Sequence, residues 1–364
     1  MGKISTKESI ALIVTIVINN VVLVSSQIIQ ETCSSASLLN SIYISILALV
    51  FAGILCLLYK KFIGLDILDI SKYLGGKILM WIVGIVFFAY YIFKVSILLR
   101  RIVDCLQIVY YPYTNILYIV LLFLIAAGII CGFKNRAISK ANYIFIPIVL
   151  SSLIIVFAGN VKNFDFNAIY PLLGNNVYST FFSGISNMVA FSGIAYILFI
   201  PSNMKEPKKF NKVAILSVVI SSIFLIMSVA TILFMFSNVA ADSELFPLYL
   251  AVRHIEFGSF LQRLDAAFLL IWSISFISLL SIVTNLCAHI FKKITNLSDK
   301  KPIIYPVLLC IFGISMLIKN NSLLWILEHN LFKILFFTVI VAFSSLILIF
   351  ANIKKIIKKG EINE

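Results

Sequence analysis

The chain has 364 residues, 62% hydrophobic and 12% charged, with 29 Lys and Arg against 15 Asp and Glu and a net charge of +14. One soluble core cannot hide that much apolar surface at a mean hydropathy of +1.09, so soluble classes are excluded and the surface is expected to face lipid. The positive charge lies in loops beside apolar stretches, where anionic headgroups explain it. No aromatic-and-basic RNA motif or zinc-ligand spacing accompanies it, so nucleic-acid binding is not expected.

Ten apolar stretches are predicted as spans, at 8–30, 37–59, 78–101, 115–133, 142–160, 179–201, 212–236, 265–290, 302–319 and 330–352. Residues 8–30 lack a short apolar core followed by a small-residue cleavage site and read as a retained first span. Lys and Arg fall on every second connection. Twenty-one lie in the N-terminal tail, loops 60–77, 134–140, 205–212 and 292–301, and the C-terminal tail, against six in the opposite set. Retention of positive charge on the inner side then places both termini in the cytoplasm.

In chain order, the first span reads ESIALIVTIVINNVVLVSSQ, with Asn19 and Asn20 near its centre. Two amides at that depth are expensive without partners. The third span carries Tyr90, Tyr91 and Lys94. Lys94 and, in the tenth span, Lys333 are embedded bases close enough to the outer surface for their amines to snorkel to water; the other reading of Lys94, beside Tyr90 and Tyr91, is a part in a binding or ion path. The loop at 161–178 contains Pro171 and Gly174. The sixth span reads FFSGISNMVAFSGIAYILFIP, with Ser192 and Gly193 at the depth of the first span's amides. The loop at 237–264 predicts an interfacial helix: Ser243 can cap it, Pro247 fits its first turn, Leu245, Leu248, Tyr249 and Val252 share a face, and Gly258 ends it. Such a helix is a brace or an outer gate. The eighth span carries Trp272 and Ser275, with His289 near its inner end. No carboxylate falls in mid-span: Glu8 and Asp265 start spans, while Asp104 and Glu328 lie just outside them. Six cysteines have no CxxC spacing and read as small apolar residues, with a Cys33–Cys105 disulfide possible on the outer side.

The fold class expected is therefore an all-α polytopic membrane protein with ten transmembrane helices in a single domain. Ten spans divide into five plus five, and an odd number per half makes the second half enter the membrane upside down. Inverted repeats at about 8–160 and 179–352 follow, with the first and sixth helices broken near the midplane to offer free helix ends to a ligand. Asn tolerates left-handed backbone and Gly has no Cβ, so both Asn19–Asn20 and Ser192–Gly193 suit such breaks.

At residues 245–278 the chain reads LFPLYLAVRHIEFGSFLQRLDAAFLLIWSISFIS. Through Phe246–Pro247, Arg253, the FLQRLD run from Phe260 to Asp265, and Trp272 it resembles the spore germination permease family, the B subunits of endospore germinant receptors. ISTKESIALIV, ISKYLGGKILMWIVG, YYPYTN and FNAIYPLLG extend the resemblance over about residues 4–350, although Asn19 stands where a glycine is usual in the family. The family is similar in turn to the amino acid/polyamine/organocation transporters. The resemblance implies a spore inner-membrane subunit that recognises a small germinant, typically an amino acid, and acts with a larger A subunit and a lipoprotein C subunit.

The pocket is expected where the first, third, sixth and eighth spans meet. Asn19 and Asn20 are its polar contacts, Ser192 and Gly193 allow backbone approach, Tyr91 forms a wall, and Ser275 faces it. Arg253, Glu256, Arg263 and Asp265 are the candidate gate or partner residues. With no GxSxG, HExxH or GxxxxGK[ST] motif, neither catalysis nor ATP-driven pumping is expected, and no cofactor is implied. A secondary transporter for amino acids or organic cations is the rival reading, since sodium coupling can use neutral oxygens.

Overall fold

The computed structural model describes residues 3–174, 176–236, 246–255 and 264–360. Among these, the regular elements are all helical. Seven helices are long and apolar enough to cross a membrane, and two shorter apolar ones accompany them.

α1 (Thr6–Asn20) starts with a reciprocal cap. Ser5 Oγ accepts the Glu8 N–H at 3.3 Å and the Glu8 carboxylate accepts the Ser5 N–H at 2.6 Å, so two otherwise orphaned donors are satisfied. The helix then widens into a π turn at Val21–Ser25 and continues as α2 (Ser26–Cys33), with right-handed dihedrals at both junctions. The break expected at Asn19 and Asn20 is therefore absent. A π turn re-aims the side chains without unwinding the backbone, and both amides find partners from a wound helix. The chain turns back at Ser34, whose φ is 49°, into α3 (Ser37–Tyr59). Ile4 bridges Met204 and the Tyr59 hydroxyl donates to the Leu198 carbonyl at 2.9 Å, so the 54-residue run Thr6–Tyr59 goes out and returns to one end of the bundle.

α4 (Ile67–Val109) is capped at Asp66 and kinked at Gly75 and Gly76. The φ of 72° at Gly76 suits glycine, and the kink separates a short surface helix from a long rod. α5 (Ile116–Cys131), α6 (Asn135–Asn160), the kinked Tyr178–Phe199 segment and α7 (Phe210–Met235) follow. After them come α8 (Pro247–Arg253), α9 (Leu264–Thr295), α10 (Lys301–Leu317) and α11 (Asn321–Ile357). α3 lies on α7, α4 on α9, and α1 on the kinked segment. Leu57, Ile78, Leu122, Leu270 and Leu309 stand exposed on the outside of this bundle, as lipid-facing side chains do.

The lysine-rich connections gather at the end where Ile4 meets Met204. There Lys355 donates to the Lys61 carbonyl, Lys354 reaches the Leu74 carbonyl at 2.8 Å, and Lys300 binds Asn135 and Asn285. This tail face is also tied by Asp66, whose carboxylate meets Lys293 at 2.7 Å and accepts from Ser202 at 3.0 Å. Burial pushes the Asp66 carboxyl up, but His289 and Lys293 outweigh it and hold the group below its ordinary value of 3.8.

α8 spans Pro247–Arg253, shorter than the helix read from sequence. It buries Leu248, Tyr249 and Val252 against α7 and α9, as a brace does. Ser243, Leu245 and Gly258 lie outside the described residues. Cys33 and Cys105 are buried free thiols, so the disulfide is absent.

Candidate functional site

The Tyr178–Phe199 segment is where regular helix fails. Its Ser183–Phe199 part is wound as a 3₁₀ helix, a geometry seldom held beyond four residues, and Phe191 breaks it at φ −88°, ψ 18°. The break expected in the sixth span is thus real and sits one residue before Ser192. A kink deprives carbonyls just ahead of it of their helical donors. The Asn20 side-chain amide fills that role, donating to the carbonyls of Ala190 at 3.2 Å and Val189 at 3.4 Å, and to Ser25 Oγ at 2.9 Å. Directly after the kink, Gly193 touches α1. A Cβ there would stand 2.7 Å from Val17 Cγ2 and 3.1 Å from the Val17 backbone nitrogen.

Asn19, one residue earlier, points to the other side of α1. Its amide donates to the Thr15 carbonyl and to Ser275 Oγ of α9, both at 2.9 Å, while its Oδ1 is buried with no donor. One turn below, Thr15 and Ser278 donate to Asn142 Oδ1 of α6 at 3.0 and 2.9 Å. A seam of neutral oxygens therefore joins α1, α6 and α9. Sequence reading missed Thr15, Asn142 and Ser278, although Thr15 and Asn19 four apart, and Ser275 and Ser278 three apart, already share helix faces.

Lys94 departs from the snorkelling reading. Its side chain does not snorkel: it is 6% exposed and its ammonium donates to Ser192 Oγ. Tyr90 OH lies by Ser192 without completing a hydrogen bond. Tyr91 turns away from Asn19. Its ring packs on Phe87 and Phe199, and its hydroxyl is also unpartnered. The structure thus brings together Asn19 with Ser275, Asn20 with the kink, and Ser192 with Lys94, leaving Tyr91 as packing.

Among the described residues, the cavities that flank this level are small. A cavity of about 30 Å³ lies on the far side, between Val22, Gln27, Ile102, Phe246, Phe268 and Trp272. Another of about 50 Å³ lies toward the tail face, between Leu12, Ser139, Tyr196, Asn203, Asn285 and His289. Side chains stand between these two spaces, some of them paired and some, such as Asn19 Oδ1 and the Tyr91 hydroxyl, without a partner.

Charges whose pairing the sequence reading did not foresee gather on this side, and Arg101 touches residues that line the far-side cavity. Arg101 donates to Gln27 Oε1 at 2.7 Å and the Leu23 carbonyl at 3.3 Å, lies 3.9 Å from Glu328, and stands 5.1 Å over the Phe246 ring. Arg100 pairs with Asp104 at 2.8 Å and His329 with Glu31 at 2.7 Å. Glu328 and Asp104 stand near helix ends, as read from sequence, yet are only 2% and 5% exposed. Of the four gate candidates, Asp265 accepts from Tyr110 at 2.9 Å and Tyr249 at 3.1 Å, whereas Arg253 is exposed at the end of α8. Glu256 and Arg263 lie outside the described residues. Among the described residues no group of carboxylates, thiols and imidazoles could hold a metal ion.

A family model described as "Spore germination protein" matches residues 3–323. Spore germination protein A2 of Bacillus subtilis (strain 168) is 24% identical over 226 residues, which cover 62% of each chain. Spore germination protein B2 of the same organism is 22% identical over 238 residues, covering 65% of this chain and 63% of that one. The chain thus aligns with just under two thirds of the length of these curated relatives. Among solved structures, a Na+-coupled sialic acid symporter in a substrate-bound outward-open state is similar, with a TM-score of 0.59 at 13% identity over 92% of this chain and 79% of that one. The manganese transporter of Eremococcus coleocola, solved as a mutant, gives 0.54 at 13% identity over 95% and 76%. At such identity the likeness is one of fold, and the fold is that of transporters.

Proposed function

The chain belongs to the spore germination protein family and is a multi-pass membrane protein, and on that premise we propose that it is a germinant receptor B subunit. It binds a small germinant at the mid-membrane centre formed by Asn19, Asn20, Ser192, Gly193 and Ser275. A conformational change then passes to A and C partner subunits in the spore inner membrane. The observation that carries the reading is the Phe191 kink, held by the Asn20 amide, together with an Asn19 Oδ1 that has unspent hydrogen-bonding capacity in a buried place on the other side of α1. An unfilled buried acceptor costs about 1–3 kcal/mol, and a ligand that donates to it recovers that energy.

The architecture read here is ten crossings in two inverted halves, with both termini cytoplasmic. Support comes from the return at Ser34, which makes two crossings of Thr6–Tyr59, and from the pairing of α1 with the kinked segment, α3 with α7 and α4 with α9. The gathering of lysine-rich connections at the tail face supports the orientation. Arg253, Glu256, Arg263 and Asp265 are proposed as gate or partner residues, Asp265 through its hold on Tyr249 of the brace. Neither a catalytic step nor a cofactor enters this reading.

A secondary transporter is the second reading, favoured by the seam of Thr15, Asn19, Asn142, Ser275 and Ser278 oxygens, which suits a desolvated cation. Vesicles holding the full chain, exposed to radiolabelled amino acids, separate the two. The receptor reading expects saturable binding without accumulation, and accumulation above equilibrium overturns it in favour of transport.

A further inference from the structure

Lys94 is a charge without a counter-ion. It lies inside α4 at 6% exposure, its ammonium reaches Ser192 Oγ, and among the described residues no carboxylate pairs with it. Taking an ammonium out of water is repaid only by a paired anion or several acceptors, and one hydroxyl falls short of either. The surroundings deepen the deficit. Ser192 and Gly193 follow the Phe191 kink, so the backbone N–H groups of the next half-segment start beside Lys94 and add positive potential. On the same stretch of α4 the buried Tyr91 hydroxyl has no partner, and the Tyr90 hydroxyl lies by Ser192 without completing a hydrogen bond. A lysine, a helix start and two hydroxyls together make an unanswered demand for an anion with several acceptor atoms.

We propose that Lys94 receives the carboxylate of the ligand, so that the class recognised at this site is small organic carboxylates. The proposal rests on reading the centre as a ligand site and adds its charge requirement. The carboxylate lies between the Lys94 ammonium and the backbone start at Ser192 and Gly193, taking the place of the Lys94–Ser192 contact. The ligand's own donor, a hydroxyl or an ammonium, is offered no carboxylate partner beside Lys94 among the described residues. Net charge then separates two kinds of carboxylate. A hydroxy acid such as L-lactate leaves the occupied site neutral, whereas a zwitterion such as L-alanine leaves it with one excess positive charge, so the hydroxy acid binds the more tightly. Amides, amines and sugars lack the group that Lys94 requires.

The test is equilibrium binding and thermal unfolding of the full chain in lipid nanodiscs. The probes are L-lactate, glycine, L-alanine and L-valine, their amides, and neutral inosine and glucose. The expected result is that carboxylates bind and their amides do not. Lys94→Met should weaken carboxylate binding by on the order of 100-fold, the range found when one partner of a buried charge pair is truncated, while raising the thermal midpoint of the empty protein. That rise separates a ligand-directed lysine from a structural one, whose removal would lower the midpoint. An amide that binds as tightly as its acid, or unchanged carboxylate binding in Lys94→Met, overturns the proposal. If such binding is still lost in Gly193→Leu, the centre stands as a ligand site and only the role of Lys94 falls. Binding of inosine or glucose alone likewise overturns the carboxylate class but not the site, and binding of no probe overturns both.

Discussion

Asn20 donates its side-chain amide to the Ala190 carbonyl at 3.2 Å, from the lip of the π turn in the first segment to the lip of the Phe191 kink in the sixth. The two irregular places are thus coupled through one side chain, and a motion that straightens the kink has to release it. Asn20→Leu leaves the Val189 and Ala190 carbonyls without that donor in a dry interior. A loss of about 1–3 kcal/mol is expected, read as a lower unfolding midpoint of the purified chain.

Gly193→Leu pushes a side chain into Val17 and its backbone nitrogen, where even a Cβ is too close. Overpacking of this kind costs about 1–3 kcal/mol, which separates α1 from the kinked segment without abolishing insertion. Spores carrying the variant should contain normal amounts of the protein and fail to respond to their germinant. A response at unchanged germinant concentration refutes the placement of the site.

Arg101→Met strands Glu328, which is 2% exposed, and removes the cation over Phe246. Breaking a buried ion pair from one side costs about 3–5 kcal/mol, whereas replacing both partners by apolar groups is often neutral. The single variant should therefore accumulate poorly in membranes, and Arg101→Met with Glu328→Met should recover most of that loss. Quantitative blotting of both variants checks this.

The tail face has a pH dependence of fixed sign. The Asp66 carboxyl is held below its ordinary value of 3.8 in the folded protein, so its contribution is fully present above that value and is lost as pH falls through the lowered one. Asp66→Asn removes it at every pH. The wild-type protein should be more stable than Asp66→Asn at neutral pH, with the gap closing only under strong acid, as thermal scans across pH can measure.

Much of the architecture was legible because hydropathy and charge are lipid-scale signals. An all-helical, multi-pass membrane chain follows from them, and the resemblance in FLQRLD and its flanks named the family that the comparison found. The kink before Ser192 was legible too, since Gly and Ser at mid-span have few reasons to be there. What escaped depends on where long side chains turn. Lys94 could reach water or Ser192 with equal covalent ease, and helical position alone does not choose between them. Glu328 lies within a helix end that sequence places at the surface, yet α11 carries it to the buried Arg101. The first segment stayed wound, with a π turn at Val21–Ser25 directly after Asn20, a feature that leaves no compositional trace.

Ser275→Ala offers the most direct measurement of the central claim. Ser275 is buried, its hydroxyl meets Asn19 at 2.9 Å, and the change removes one oxygen with no added bulk. Germination of spores carrying wild-type or Ser275→Ala protein should be followed against germinant concentration at equal protein abundance. A germinant bound between the first and eighth crossings predicts a half-maximal concentration raised by roughly tenfold, the loss of one buried hydrogen bond. Superimposable curves would contradict it.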